Sequence, residues 1–146
     1  MKLKYDVYLS VKMHGRLGRE VIEQAQQAKD LCTKFGLKAY SPTEDENINP
    51  SRIIDKKPSK KLMKWYVNKD DRAVDRSKSL LLLTGDTSSA GTGWECGRMF
   101  YKNHRPIVVV APRMYDGSLV NFTTIKADRI FATQKQAISY LKRRIK

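Results

Sequence analysis

The sequence predicts one α/β domain built on a doubly wound, Rossmann-like, five-stranded parallel sheet with helices on both faces. Three observations predict it. Apolar runs of strand length alternate with longer segments of helical periodicity, the pattern of parallel strands joined by crossover helices. Two of those runs, residues 80–83 (LLLL) and 107–110 (IVVV), are apolar at every position, as strands covered on both faces are. The chain has 146 residues, enough to bury one core, so the expected domain spans residues 1–146.

The elements follow in order. Residues 6–11 (DVYLSV) carry the β-branched and aromatic content of a strand. Residues 12–18 form a polar, glycine-containing loop. Over residues 19–35 the apolar positions Val21, Ile22, Ala25, Ala28, Leu31, Cys32 and Phe35 recur at three and four residues, one helical stripe. Gly36 suits the left-handed residue that ends such a helix. Residues 37–40 read as a second strand. Residues 41–59, with three prolines and the acidic Glu44-Asp45-Glu46, read as a long loop. Residues 60–76 read as a helix burying Leu62, Trp65, Tyr66, Ala73 and Val74. Residues 79–84 are the central strand, 85–92 a loop, 93–103 a helix, and 106–111 the second fully buried strand. Residues 129–131 make a last short strand. Thr133 with Gln136 three positions on has capping-box spacing ahead of a helix striped with Ile138, Leu141 and Ile145. Ligands in doubly wound sheets bind beyond the carboxyl ends of the strands. The loops 12–18, 41–59 and 85–92 therefore matter most.

Composition narrows the chemistry. Lys and Arg number 29 against 15 Asp and Glu, a formal charge of +14 that concentrates anions without choosing among nucleic acid, nucleotides and phosphorylated metabolites. The densest basic stretch, Arg52, Lys56, Lys57, Lys60, Lys61 and Lys64, is either a solvated face or an anion site. No apolar run approaches the roughly 18–20 residues of a membrane span. The two cysteines, Cys32 and Cys96, form no CxxC pair, and His14 and His104 stand alone, so neither a metal nor another cofactor is expected. The first residues lack a secretory h-region, and a reduced, cytoplasmic protein is expected.

The segment 88–98 (SSAGTGWECGR) carries the chemistry. It follows the central strand and opens a helix. Gly91 and Gly93 let a ligand approach the backbone, and free amides at a helix start hold phosphate or carboxylate. Glu95 is expected in the first helical turn, where the dipole favours the carboxylate. It is then either a residue that complements the dipole or a nucleophile. Trp94 is read as core packing, and Cys96, turned about 100° from Glu95, as a small packing residue.

A strand, then Ser-x-Gly-x-Gly-aromatic-Glu-x-Gly-Arg opening a helix, then Arg105-Pro106 and a valine strand, resembles the nucleoside 2-deoxyribosyltransferase superfamily, which includes the nucleoside 5′-monophosphate N-glycosidases. The resemblance runs from about Asp6 to Asn121, through Val7-Tyr8-Leu9, His14-Gly15-Arg16, Tyr40-Ser41-Pro42 and Asn68-Lys69-Asp70. It implies that Glu95 attacks the anomeric carbon, that Asp70 activates the leaving base or orients Glu95, and that Tyr8 supports the carboxylate and the sugar. It implies that His14, Gly15 and Arg16 form a substrate loop. Asn121 matches a position that completes a neighbouring subunit's site, which implies a homodimer or larger oligomer. Ser89, six residues before Glu95, stands where nucleoside transferases tend to carry Asp and where monophosphate glycosidases place a serine on the 5′-phosphate. The chain departs from the family in Val11-Lys12 after the first strand, where glycine is usual, and in Lys78 before the central strand, where Asp is common.

The expected activity is therefore cleavage of a nucleoside 5′-monophosphate to free base and sugar phosphate. The alternatives are base exchange by a 2-deoxyribosyltransferase and a nucleotide-binding module without catalysis. A nucleic-acid-binding protein is also compatible with the charge, but it is disfavoured because the basic stretch lacks arginine-rich motifs and interleaved aromatics.

Overall fold

Among the described residues five strands form one all-parallel sheet: β1 (Val7–Ser10), β2 (Ala39–Tyr40), β3 (Leu80–Leu82), β4 (Ile107–Val110) and β5 (Arg129–Phe131), in the order β2-β1-β3-β4-β5. Among the described residues four α-helices accompany them: α1 (Gly18–Lys34), α2 (Lys60–Asp75), α3 (Ala90–Gly97) and α4 (Gln134–Arg144). The computed structural model describes residues 2–44, 47–54, 59–83, 90–111 and 127–145. None of the helices among them is long and apolar enough to cross a membrane.

Strand alternation divides the core in two. Val7, Leu9, Leu81, Val108 and Val110 face α1 and α4, against Val21, Ala25, Ala28, Cys32, Ala137, Ile138 and Leu141. Tyr8, Leu80, Leu82, Ile107 and Val109 face the other way, against Val74, Cys96 and Met99. Both faces are thus covered, which explains why β3 and β4 are apolar throughout. The register pairs Tyr8 with Leu80 and Ser10 with Leu82. The chain order reverses between β1 and β3, and this switch point opens a crevice at the carboxyl ends of those strands.

Several boundaries differ from the sequence expectation. Helix α3 begins at Ala90, three residues early, and gives way at Arg98 to a π-helical turn (Arg98–Lys102) instead of continuing as α-helix to residue 103. Leu62 is 42% and Trp65 50% exposed, and Tyr66 is half-buried. Only Ala73, Val74 and Asp75 of α2 are buried, so its amino-terminal half stands clear of the sheet. Ser59 caps α2 by accepting from the Leu62 amide (3.3 Å), and Thr133 caps α4 by accepting from the Gln136 amide (3.2 Å).

Helix α1 has no side-chain cap. The backbone of the second long loop closes it instead. The amides of Gly18 and Arg19 donate to the carbonyls of Arg52 (2.8 Å) and Pro50 (3.0 Å). Beside them, Gly15 N–H donates to Ile54 (2.7 Å) and Ile54 N–H to Arg16 (2.8 Å). A Cβ on Gly18 would collide with the Asn49 carbonyl oxygen and the Ile48 side chain, so this approach requires glycine. The predicted loop 41–59 thus includes a strap, residues 47–54, fastened across the predicted loop 12–18.

Candidate active site

Tyr8 and Ser10 share one face of β1, and both are fully buried. The Ser10 hydroxyl donates to Glu95 Oε1 at 3.5 Å, which joins the carboxyl end of β1 to α3. Glu95 Oε2 is shut off from solvent. The Tyr8 hydroxyl has no partner at full hydrogen-bond geometry among the described residues. It nevertheless feels two carboxylates: burial first, then the charges of Glu95 and Asp70, raise its pKa well above the ordinary phenol value.

Asp70, on α2, accepts a hydrogen bond from the Tyr40 hydroxyl at 2.9 Å. Tyr40 ends β2, and its ring stacks on Tyr8 with centroids 5.4 Å apart and 23° between planes. Two carboxylates are therefore joined through a pair of stacked phenols at the carboxyl end of the sheet. Of the residues proposed from sequence, the structure brings Tyr8, Asp70 and Glu95 into one cluster. It adds Ser10 and Tyr40, which sequence reasoning missed as site residues. The available signal for Ser10 was its polarity two residues after Tyr8, on the same face of an otherwise apolar strand.

Glu95 is the sixth residue of α3, not a first-turn residue, because the small residues Ala90 and Gly91 enter the helix. Its environment comes from Ser10 and Tyr8 more than from the helix dipole, which fades beyond the first turn. Gly91 and Gly93 do lie in the first turn, where amides have no partner within the helix. Trp94, expected in the core, is 58% exposed, and its indole N–H donates to Asp71 Oδ1 at 2.8 Å. The rotation between neighbouring helical residues that aims Glu95 at the sheet turns Trp94 outward. Cys96 is buried; burial and then the Glu95 charge push its thiol to about 12, as suits packing.

The first loop follows β1 at the same end of the sheet. His14 is exposed, and Gly15 takes the left-handed conformation (φ 77°). Arg16 Nη1 donates to the Lys12 carbonyl (3.0 Å) and to Gln24 Oε1 (2.6 Å), and Gln24 Nε2 donates to the Leu83 carbonyl (3.2 Å). Arg16 thus ties the loop to the end of the central strand. Ser89 and Asn121 lie outside the described residues.

Arg98, the last residue of the Glu95 motif, is a fastener. Its Nε and Nη2 grip Asp75 Oδ1 and Oδ2, both at 2.8 Å. Lys102 Nζ (2.9 Å) and Asn103 Nδ2 (3.0 Å) join them on the same carboxylate. The π turn and the residue that caps it set these three side chains around Asp75. The knot pins α2, which carries Asp70, to the end of α3, which carries Glu95.

No protein-family model and no curated protein sequence matches the chain. Solved structures do match. A 2-deoxyribosyltransferase from Bacillus psychrosaccharolyticus superposes with a TM-score of 0.70 at 19% identity, over 92% of this chain and 91% of that one. A conserved protein from Enterococcus faecalis V583 gives 0.62 at 16% identity, over 96% and 98%. The Clostridium botulinum CMP N-glycosidase BcmB gives 0.55 at 12%, over 95% and 98%. The sheet order, the covered faces and these superpositions together give the chain the nucleoside 2-deoxyribosyltransferase fold.

Proposed function

We propose that this protein cleaves the N-glycosidic bond of a nucleoside 5′-monophosphate, with Glu95 as nucleophile. One observation carries the reading: the Glu95 carboxylate meets the Ser10 hydroxyl at the β1 switch point, beside the buried Tyr8 phenol and with Asp70 as second carboxylate in the same cluster. The names of two structural neighbours, a 2-deoxyribosyltransferase and a CMP N-glycosidase, point to the same bond.

The chemistry follows the two-step logic of retaining glycosidases. A Glu95 oxygen attacks the anomeric carbon, and the base departs with the electron pair of the broken C–N bond. Asp70 orients the attacking carboxylate or assists the leaving base. The positive charge that develops on the sugar is stabilised by the neighbouring carboxylates. Water then attacks the same carbon, which frees Glu95 and yields the sugar phosphate. Tyr8 holds the carboxylate and the sugar. The phosphate is assigned to Ser89, the first-turn amides of Gly91 and Gly93, and the loop of His14, Gly15 and Arg16. Asn121 favours a second outcome, transfer of the sugar to another base, within a site completed by a partner subunit.

The test is free-base release from matched nucleoside and 5′-monophosphate pairs, with and without a second base as acceptor. Glu95→Gln should fold normally and lose about 10³-fold or more in turnover. A folded Glu95→Gln protein with wild-type turnover overturns the mechanism. Ser89→Asp should impair the monophosphate far more than the nucleoside, because only the former repels a new carboxylate. Equal loss on both moves the phosphate elsewhere. No base release from any substrate, with tight nucleotide binding, would make this a binding module.

A further inference from the structure

The described residues hold two adjoining grooves along the side of the sheet next to β2, one at its amino-terminal edge and one that reaches Tyr40 of the Glu95 cluster. One, of about 490 Å³, is lined by Lys2, Leu3, Lys4, Lys38 and Arg76. The other, of about 220 Å³, is lined by Lys4, Tyr5, Tyr40, Lys69, Arg72, Ala73 and Arg76. They share Lys4 and Arg76, which the backbone brings together: the amides of Lys4 (2.8 Å) and Tyr5 (3.1 Å) both donate to the Arg76 carbonyl. Among the described residues no acidic side chain lines either groove. Nearby carboxylates are engaged: Asp6 by Lys78 (2.7 Å), Asp70 by Tyr40, and Asp75 by Arg98 and Lys102.

Aromatic rings are set among these cations. The Lys4 and Lys38 ammonium groups lie 5.4 and 5.5 Å from the centre of the Tyr5 ring. Lys69 lies 5.1 Å from the Trp65 ring and 5.7 Å from the Tyr66 ring. The strip continues along the outward half of α2, where Lys60, Lys61 and Lys64 are exposed beside Trp65. The interleaved aromatics absent from residues 52–64 are therefore supplied by Trp65 and Tyr66 in the next turn of the helix and by Tyr5 just ahead of β1. Five of these cations, Lys2, Lys4, Lys38, Arg72 and Arg76, form no ion pair with a described carboxylate, and like charges gathered in this way are costly unless an anion shares the surface. A basic groove with ring faces suits a strand that offers phosphates and unstacked bases.

We propose that these paired grooves bind single-stranded nucleic acid, with Lys2, Lys4, Lys38, Lys69, Arg72 and Arg76 on phosphates and Trp65 as a stacking platform. This surface borders the Glu95 site at Tyr40 but does not depend on the reaction proposed there.

The experiment is fluorescence anisotropy with end-labelled dT12, rU12 and a 12-base-pair duplex, between 50 and 300 mM KCl. Single strands should bind more tightly than the duplex. Log Kd should rise with log salt with a slope of about 4, or about 0.7 for each of six phosphates. The triple variant K4E/K38E/R76E should weaken binding at least tenfold. R19E/K135E/R143E, an equal charge change at exposed positions of α1 and α4, should weaken it threefold at most. Trp65→Ala should cost roughly fivefold or more, the low end for loss of one stacked base. Glu95→Gln should bind as wild type does. If the glutamate triple fails to fold, K4Q/K38Q/R76Q carries the same expectation. No binding at 50 mM KCl, equal losses in the two charge triples, or a duplex bound as tightly as the single strands would each overturn the proposal. So would a preference for anionic lipid vesicles over the oligonucleotides.

Discussion

Asp75→Asn tests whether the knot at the π turn holds the two site helices together. The substitution keeps the shape of the side chain and removes its charge. Arg98, 21% exposed, and Lys102, 55% exposed, are then left facing an amide where they faced a carboxylate 7% exposed. Removing one partner of a fully buried pair costs about 3–5 kcal/mol. Solvent reaches Arg98 and Lys102 and recovers part of that, so the expected loss is about 2–3 kcal/mol. At roughly 2–4 °C per kcal/mol for a domain near this size, Tm should fall by about 5–10 °C at pH 7.

The effect should also depend on pH. Burial works to raise the Asp75 pKa, but the hydrogen bonds from Arg98, Lys102 and Asn103 outweigh it and hold the carboxyl well below the usual carboxylate range. In the unfolded chain the group titrates near 3.9. A pKa depressed by folding contributes its full stabilisation above the unfolded value and loses it as pH falls below that value. The asparagine variant has no such group to protonate. The gap between wild type and Asp75→Asn should therefore be widest near neutrality and narrow below about pH 4. Urea midpoints at pH 7 and pH 3 measure it. A loss under about 0.5 kcal/mol at pH 7, or an equal gap at both pH values, would refute the argument.

Other outcomes follow from particular contacts. Tyr8→Phe should lower turnover at least tenfold while leaving Tm unchanged or slightly raised, because the deleted hydroxyl is buried without a well-formed hydrogen bond; a loss of stability above about 1 kcal/mol would contradict this. Gly18→Ala should destabilise the fold by about 1–3 kcal/mol, since its Cβ meets the Asn49 carbonyl; a thermal melt decides it. Neither Cys32 nor Cys96 should react with iodoacetamide in the native protein at pH 8, as burial pushes both thiols up to about 12, and mass spectrometry would reveal any adduct.

Residues that obey a single dominant force were readable in advance. Leu80 and Val108 are apolar in strands covered on both faces, and Thr133 caps α4 where its spacing with Gln136 placed it. Misreadings arose where tertiary packing decides. Trp65 lies on the expected apolar stripe of α2, but the sheet ends before reaching it. Trp94 is large and apolar, yet the neighbouring Glu95 takes the inward direction and the indole settles on Asp71. The start of α3 depended on whether Ala90 and Gly91 would join the helix, and local preference is weak there. The resemblance pointed to Glu95, Asp70 and Tyr8. It did not point to Tyr40 as the residue that binds Asp70, because that partnership joins positions 30 residues apart in sequence.

The strap across the first loop bears on how this site would recognise a ligand. Backbone left loose in solution must be ordered when a ligand closes it, at about 1–2 kcal/mol for each residue fixed. Here the carbonyls of Pro50, Arg52 and Ile54 already hold the amides of Arg19, Gly18 and Gly15. Much of that entropy has been surrendered during folding, before any ligand arrives. Association through this side of the crevice should then resemble entry into a rigid receptor, with a small heat-capacity change and a rate set by diffusion and charge.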